Sequence, residues 1–179
     1  MDRGLDDMEI INRVVAGEKE KFSILIDRYA PLFFLYFRQR GVESTDTIHD
    51  LMQETFLKVF TSLPKFRPFG SFKAWLLTIC RGTVSNYHSS RQKESGNRSN
   101  PLIEQYSAGF EKDVIQTAIV NKALSELSDI QRETVVMKYF WQLGCSEIAD
   151  LLNLPLGTVK SHLFHARKRL WELLKEKDL

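Results

Sequence analysis

Cysteine is scarce in this chain, which excludes two common ways of stabilising a small protein. The 179 residues include 2 cysteines, Cys80 and Cys145, and no short spacing relates them. Structural zinc sites and disulfide frameworks need several cysteines or histidines at short, characteristic spacings. We therefore expect both cysteines to be reduced, buried thiols, and we expect the fold to depend on a hydrophobic core.

Long hydrophobic runs are also missing. The longest, PLFFLYF, extends only from Pro31 to Phe37, whereas a helix that crosses a bilayer needs about 20 apolar residues. The first nine residues carry 4 carboxylates, which is the wrong charge for a secretion signal. The sequence therefore predicts a cytoplasmic protein with no membrane span.

Signals for β-strands and for catalysis are absent as well. No alternating β-branched run or Asn-Gly turn predicts a hairpin, and no Walker loop, Ser/His/Asp spacing or cluster of metal ligands occurs. His162 and His165, three residues apart, are better explained as groove contacts than as a zinc pair. An enzyme is the least supported class of function, and the sequence implies no cofactor or metal.

Most of the chain carries apolar residues at helical spacing. Helices are expected between Asp7 and about Val42, at Thr45–Ser62, near Trp75–Val84 and near Val114–Leu127. Pro31 should kink or restart the second of them. The predicted fold class is therefore all-α.

The charge is unevenly distributed along the chain. The net charge of +2 divides into −3 for residues 1–64, +6 for 65–98, −4 for 99–156 and +3 for 157–179. Two basic blocks suggest two separate contacts with a polyanion, and the acidic blocks leave surfaces for protein partners.

A polar stretch rich in Ser, Asn and Gly runs from Ser89 to Gly109 without helical periodicity. This composition is typical of a flexible linker. The sequence thus predicts two helical domains, 1–88 and 111–179, joined by a linker at 89–110.

The segment from Cys145 to Leu170 predicts a helix-turn-helix motif. Pro155 and Gly157 separate two short helical patterns, and Thr158 is expected to cap the second helix at its N-terminus. One side of that second helix is apolar, and its members recur at helical spacing: Val159, Leu163, Ala166 and Leu170.

The opposite side of the same helix is polar and basic. No carboxylate occurs between Asp150 and Glu172. Such a surface suits the major groove of DNA, where hydroxyls and imidazoles meet base edges and cations meet phosphates. A solvated basic face with no ligand remains the alternative. The outward side chains are Thr158, Lys160, Ser161, His162, Phe164, His165, Arg167, Lys168 and Arg169.

A loop broken by Pro64, Pro68 and Gly70 alternates aromatic rings with cations. Rings stack on unpaired bases while cations follow the phosphates, so this composition favours single-stranded nucleic acid. The alternative is that the rings anchor the loop to the hydrophobic core, and we prefer that explanation for Phe72 and Trp75. The nucleic-acid prediction applies to Lys65, Phe66, Arg67 and Phe69.

The outer face of the third predicted helix carries Asp50, Gln53, Glu54 and Lys58. It could be a docking surface for a protein with a basic or amide-rich groove, or simply a solvated face. The residues alone do not decide between the two.

Over nearly its whole length the chain resembles the extracytoplasmic-function sigma factors, small specificity subunits of bacterial RNA polymerase. DLMQETFLKVF, from Asp50, is similar to the family's helix that binds core polymerase. FRPFGSFKAWLLTICR, from Phe66, resembles its promoter-melting segment. The segment from Leu127 to Leu170 resembles the domain that reads the upstream promoter element.

The resemblance implies a role for three sets of residues. Contacts with the clamp helices of the largest polymerase subunit would come from Asp50, Gln53, Glu54 and Phe56. The loop from Lys65 to Phe69 would capture a flipped base of the minus-ten element, with Lys73 and Arg81 on the non-template strand. The minus-thirty-five duplex would face Thr158, Lys160, Ser161, His162, His165, Arg167 and Lys168.

The sequence departs from the family pattern at two places. His162 and His165 stand where relatives usually carry Arg, which predicts weaker or pH-dependent contacts. The helix after the melting loop usually reads Arg-Asn followed by Asp, and here it carries Arg81, Gly82 and Asn86. Glycine inside a helix costs about 1 kcal/mol relative to alanine.

The resemblance implies core RNA polymerase and promoter DNA, both paired and melted, as partners, together with an anti-sigma factor. The chain is expected to act in transcription initiation without enzymatic activity. The alternative is a dimeric helix-turn-helix regulator whose N-terminal half senses a ligand. Such a regulator has no use for an exposed Phe66 and Phe69, which distinguishes the two hypotheses.

Overall fold

The computed structural model describes residues 5–67, 70–94 and 123–175. Within these ranges every regular element is helical, which confirms the predicted all-α fold. The chain divides into two compact units, Met1–Pro101 and Leu102–Leu179, and each is described separately below.

The described residues of the N-terminal unit form four α-helices. They are α1 (Asp7–Val15), α2 (Phe22–Gln39), α3 (Thr45–Ser62) and α4 (Phe72–Glu94). The Asp6 carboxylate accepts the N–H of Glu9 at 2.8 Å, which caps α1. Helix α2 continues through Pro31, so this proline does not restart the helix.

Aromatic side chains fill the core between α2 and α3. Phe33 of α2 stacks on Phe56 of α3 with ring centroids 4.7 Å apart, and the edge of Phe22 meets the ring of Phe56 at 6.4 Å. Tyr36 and Phe37 are also fully buried. Each large ring removes much apolar surface from water, so these contacts provide most of the packing that holds α3 against α2.

Helix α4 is longer than the sequence predicts. It extends to Glu94, whereas the linker was expected to begin at residue 89. Arg91 donates a hydrogen bond to the Tyr87 hydroxyl at 2.9 Å and lies over its ring, and this pair, one helical turn apart, supports the extra turn. The rest of the predicted linker, 95–110, lies outside the described residues, and the domain boundaries stay a prediction.

The first turn of α1 is tied to α2 through Asp7. Tyr29 donates its hydroxyl proton to Asp7 Oδ2, and Arg28 Nη1 donates to Asp7 Oδ1 at 2.5 Å. Arg28 also donates to the carbonyl of Leu5 at 2.8 Å. Burial, together with the hydrogen bond to Asp7, raises the pKa of Tyr29 well above its usual value.

The C-terminal unit contains α5 (Asp129–Val135), which continues as a single π-helical turn to Phe140, then α6 (Cys145–Leu152) and α7 (Leu156–Lys175). Trp141 follows the π turn and is fully buried. Of the helix expected near Val114–Leu127, residues 123–125 are helical, and its beginning lies outside the described residues.

Helices α6 and α7 form the predicted helix-turn-helix. Asn153 ends α6 in the left-handed conformation, with φ 53° and ψ 48°, which asparagine tolerates better than most residues. The N–H of Leu154 then donates a hydrogen bond to the carbonyl of Ala149 at 2.9 Å.

The prediction that Thr158 caps the second helix is wrong. Helix α7 begins two residues earlier, and the N–H of Thr158 donates to the carbonyl of Pro155 at 2.9 Å. The carbonyl of Pro155 also accepts the N–H of Val159 at 3.2 Å, so Pro155 occupies the N-cap position that was predicted for Thr158. Of the two cysteines, Cys80 is buried as expected and Cys145, at the start of α6, is partly exposed.

Replacing Tyr29 by Phe should change how stability depends on pH. Tyr29 keeps its proton in the folded chain, whereas an unfolded tyrosine loses it near pH 10. The unfolded state then binds fewer protons, so wild-type stability should fall as the pH rises above about 10. Urea denaturation from pH 7 to 11 should show a smaller fall for Tyr29→Phe, and parallel curves would contradict this account.

Candidate nucleic-acid and polymerase interfaces

Helix α7 presents the predicted upstream-DNA residues on one side. Val159, Leu163 and Ala166 are buried, and this fixes the rotation of the helix about its axis. Most of the predicted contacts consequently point away from the core of the unit. Lys160, Ser161, His165, Arg167 and Lys168 are exposed, and Thr158 and His162 are half-buried.

An exposed aromatic ring lies in the middle of this surface. Phe164 is 57% exposed, and its ring meets His165 edge-on with centroids 5.4 Å apart. The sequence reasoning placed Phe164 on this arc but gave it no role. The sequence feature that indicates a role for Phe164 is a single aromatic residue among polar neighbours. Such a ring can contact the methyl group of thymine in the major groove.

The flanking cation Arg169 is directed elsewhere. Its Nη2 lies 3.5 Å from a carboxylate oxygen of Glu126, so it joins α7 to the segment before α5. This surface ion pair contributes at most about 1 kcal/mol.

In the proline-rich loop, the prediction of an exposed Phe66 is wrong. Phe66 is 9% exposed, and its ring packs against Phe72 at 5.4 Å and Trp75 at 4.9 Å. Phe72 in turn meets Tyr29 at 5.8 Å. Phe66 therefore anchors the loop to the hydrophobic core, as we expected of Phe72 and Trp75. An apolar ring has a lower free energy inside this cluster than in water.

The cations of the loop face outward. Lys65 and Arg67 are exposed, and Arg67 Nη1 donates to the carbonyls of Phe66 at 3.2 Å and Pro64 at 3.5 Å. The guanidinium is thus held beside its own backbone. Phe69 lies outside the described residues. Lys73 and Arg81, on α4, are half-buried.

Gly82 lies on the exposed side of α4, and a Cβ atom added there would meet nothing within 4 Å. The position would accept a larger side chain, so crowding does not explain the departure from the family pattern. Asn86, one turn later, is also exposed.

Helix α3 presents the predicted polymerase contacts Asp50, Gln53 and Glu54, all exposed. Glu54 pairs with Lys58 at 2.5 Å, and Lys58 also contacts the buried Thr83 of α4 at 3.3 Å. One turn after Gln53, Leu57 is 64% exposed. At about 100° per residue, Leu57 falls between Gln53 and Glu54 on the helix surface, and the sequence reasoning missed it.

The remaining predicted contact, Phe56, does not protrude. Its ring is buried between Phe22 and Phe33, and its implied contact with polymerase stays a prediction. The ring forms part of the wall of an apolar groove of about 490 Å³ between α2 and α3. The same groove is lined by Phe22, Ile26, Met52, Leu57 and Phe60.

The described residues include neither a candidate metal site nor a membrane-spanning helix. No group of three or more His, Cys, Asp or Glu side chains among those residues could hold a metal ion. None of the helices described is both long and apolar enough to cross a membrane.

Comparisons with known families explain the two surfaces together. The model for Sigma-70 region 2 matches residues 25–94, which carry α3, the loop and α4. The model for Sigma-70, region 4 matches residues 117–170, which include the helix-turn-helix. The chain belongs to the sigma-70 family. Its relatives assign it to the extracytoplasmic-function class.

Two of those relatives match along almost their full length. An ECF RNA polymerase sigma-E factor of Haemophilus influenzae is 28% identical over 183 residues, covering 93% of this chain and 94% of the relative. An RNA polymerase sigma-H factor of Pseudomonas aeruginosa is 28% identical over 188 residues, covering 95% and 96%.

Solved structures share the fold. The sigma factor RpoE of Bartonella quintana, solved in complex with the anti-sigma factor NepR, matches with a TM-score of 0.66 at 25% identity, covering 86% of this sigma factor and 98% of that chain. CnrH, solved with the cytosolic domain of CnrY, matches with a TM-score of 0.64 at 23% identity, covering 94% and 96%.

The function of the chain is therefore that of a sigma factor, which binds core RNA polymerase and directs promoter recognition, melting and transcription initiation. This finding excludes the alternative of a ligand-sensing regulator. An exposed Phe66 was expected to distinguish a sigma factor from a ligand-sensing regulator. Phe66 is buried, so the family matches, and not this ring, distinguish the two hypotheses.

Removing the ring of Phe66 should destabilise the N-terminal unit, whereas removing the neighbouring charge should not. Phe66→Ala deletes contacts with Phe72 and Trp75 and should lower the free energy of unfolding by about 3 kcal/mol. Lys65→Ala, at an exposed position, should change it by less than about 0.5 kcal/mol. Chemical denaturation of both variants tests this, and equal stabilities would argue against an anchoring role for Phe66.

Proposed function

We propose that this sigma factor uses three surfaces in transcription initiation. Helix α7 reads the upstream duplex, the loop around Lys65 and Arg67 contacts the melted strand, and the outer face of α3 docks on core polymerase. The observation that carries the proposal is the rotation of α7. Its apolar side is buried, while hydroxyl, imidazole and cationic side chains are exposed around Phe164 with no carboxylate between Asp150 and Glu172.

The upstream surface combines two kinds of contact. Lys160, Arg167 and Lys168 supply charge for phosphates, which gives affinity without sequence information. Ser161 and His165 supply hydrogen-bonding groups for base edges. Thr158 and His162, half-buried at the edge of the surface, complete the set.

The melted-strand surface depends on the burial of Phe66. Packing against Phe72 and Trp75 anchors the loop at Phe66, and the bonds from Arg67 to the carbonyls of Phe66 and Pro64 keep a cation beside it. A fixed loop loses less conformational entropy when a strand binds. Phe69 is the proposed stacking residue, and Lys73 and Arg81 follow the strand along α4.

The polymerase surface combines acidic and apolar groups. Asp50, Gln53 and Glu54 surround the exposed Leu57, and the apolar groove lined by Phe56 opens beside them. Protein interfaces typically have an apolar anchor inside a polar rim. Leu57 would be that anchor, while Phe56 would act through the shape of the groove.

Three further expectations follow from the family. The sigma factor has no catalytic activity of its own and requires no cofactor, it acts in the cytoplasm where polymerase and promoter DNA meet, and an anti-sigma factor binds it, as NepR binds the RpoE relative. Domains at 1–88 and 111–179, with a linker at 89–110, would let two weak DNA contacts reinforce each other when polymerase holds both.

Docking on polymerase should be sensitive to Leu57 as well as to Asp50. In a binding assay with purified bacterial core RNA polymerase, Leu57→Ala and Asp50→Ala should each weaken the complex about tenfold, because hot-spot residues contribute more than about 1 kcal/mol. Fluorescence anisotropy of the labelled sigma factor measures the dissociation constant directly.

Matched controls are available on other helices of the same unit. Val15→Ala removes an apolar side chain that is 51% exposed on α1, and Asp27→Ala removes an exposed carboxylate on α2. Both should bind like the wild type. If Leu57→Ala and Asp50→Ala bound polymerase no worse than these controls, the docking surface would lie elsewhere.

The two DNA surfaces should be separable with two probes. With DNA selected by the holoenzyme from a random pool, Lys168→Ala should weaken binding to the upstream duplex about fivefold and leave binding of a single-stranded minus-ten oligonucleotide unchanged. Lys65→Ala should do the reverse, because each lysine loses a phosphate contact on one probe only. Equal losses on both probes for either variant would contradict the division of labour.

A further inference from the structure

Helix α7 continues beyond the last residue assigned to DNA. It runs to Lys175, so about 10 Å of helix follow Lys168. This last part carries Trp171, whose side chain is 62% exposed. Burying a tryptophan side chain is strongly favourable, so an exposed one needs an explanation. The function proposed above assigns no role to Trp171.

Trp171 lies on the same side of the helix as the DNA-facing ring. Seven residues separate it from Phe164, which on an α-helix is a rotation of only about 20°. Lys168 and Lys175 fall within about 40° of Phe164 on the same side. The aromatic and cationic stripe formed by Phe164, Lys168, Trp171 and Lys175 is therefore continuous along α7.

Two other charges lie at this end of the helix. Glu172 lies about 40° from Lys168, at the edge of the stripe, whereas Arg169 is rotated by about 160° from Trp171. Arg169 is directed to Glu126. The stripe itself contains cations and aromatic rings without a carboxylate, which makes it complementary to a polyanion.

A cation–π contact joins the last two members of the stripe. Lys175 Nζ lies 4.9 Å from the centroid of the Trp171 ring, a distance at which the ammonium is attracted to the ring face. The contact brings the ammonium close to the indole, so this end of the helix carries two kinds of donor, an ammonium and an indole N–H. An indole N–H can only donate, and a phosphate oxygen can only accept.

We propose that Trp171 and Lys175 bind a backbone phosphate of the upstream duplex, beyond the base pairs that α7 reads. The inference rests on the proposed DNA role of α7. Lys160 and Lys175 are about 22 Å apart along the axis, whereas the major groove is about 12 Å wide. A helix with its first half in the groove therefore brings its last turn to the sugar-phosphate backbone.

A phosphate contact at this end of α7 has a specific consequence. It strengthens binding to every sequence equally, because the backbone carries no base information. It also fixes how far the N-terminal half of the helix enters the groove. Trp171 and Lys175 would then be positioning residues for the reading done by Ser161 and His165.

The test uses holoenzyme assembled from core polymerase and full-length sigma factor, with an upstream duplex selected by the wild-type holoenzyme. Lys175→Ala should reduce the slope of log affinity against log salt by about one. Trp171→Phe keeps the ring but loses the N–H donor, and it should weaken binding about tenfold, as expected for a hydrogen bond to a charged group.

Arg169→Ala is the matched control, because it removes a cation from the same helix on the other side. Its salt slope should equal that of the wild type. The order of preference among variant upstream duplexes should be the same for the wild type, Lys175→Ala and Trp171→Phe, and so should affinity for core polymerase. All of these positions are exposed, so each variant should retain the wild-type midpoint of thermal unfolding.

Two results would overturn the inference. One is that Lys175→Ala and Trp171→Phe match Arg169→Ala in slope and affinity. The other is that they weaken binding of core polymerase and leave DNA binding unchanged, which would assign the stripe to a protein partner. Failure of the proposed function is recognised separately, because then the wild-type sigma factor itself would not form a holoenzyme that binds the duplex.

Discussion

The structure of this sigma factor depends on the burial of one side of each helix, and α7 is where that constraint has the largest functional effect. Val159, Leu163 and Ala166 pack inward and leave the helix a single rotation about its axis. Every outward contact proposed here, from Lys160 to Lys175, follows from that rotation. Apolar burial thus determines which hydroxyls, imidazoles and cations are available to DNA.

Burial of apolar side chains also determines the role of the aromatic rings in the N-terminal unit. Phe66, Phe72 and Trp75 form a cluster that continues to Tyr29, and this cluster holds a loop whose cations face outward. The rings give the loop its shape, while Lys65 and Arg67 give it its charge. On α3 the buried Phe56 shapes a groove beside the exposed Leu57.

Sequence patterns predicted the helices well where the periodicity was long and well bounded, as in α3. The predictions failed where tertiary packing overrode a local sequence preference. Pro31 breaks a hydrogen bond of α2, yet the buried rings on either side, Tyr29 and Phe33, hold the helix together. The start of α7 was misplaced because Thr158 is a good cap in isolation, but Pro155 already provides the first turn.

The helical fold, the helix-turn-helix and its basic surface were predictable from the amino-acid sequence, because they depend on local periodicity and on the order of charges along the chain. Only the tertiary structure decided which aromatic residues are exposed. Phe66 and Trp171 are both aromatic residues next to a charged neighbour in the sequence, yet Phe66 is buried and Trp171 is exposed. The difference arises from contacts between helices distant in sequence, which no local pattern records.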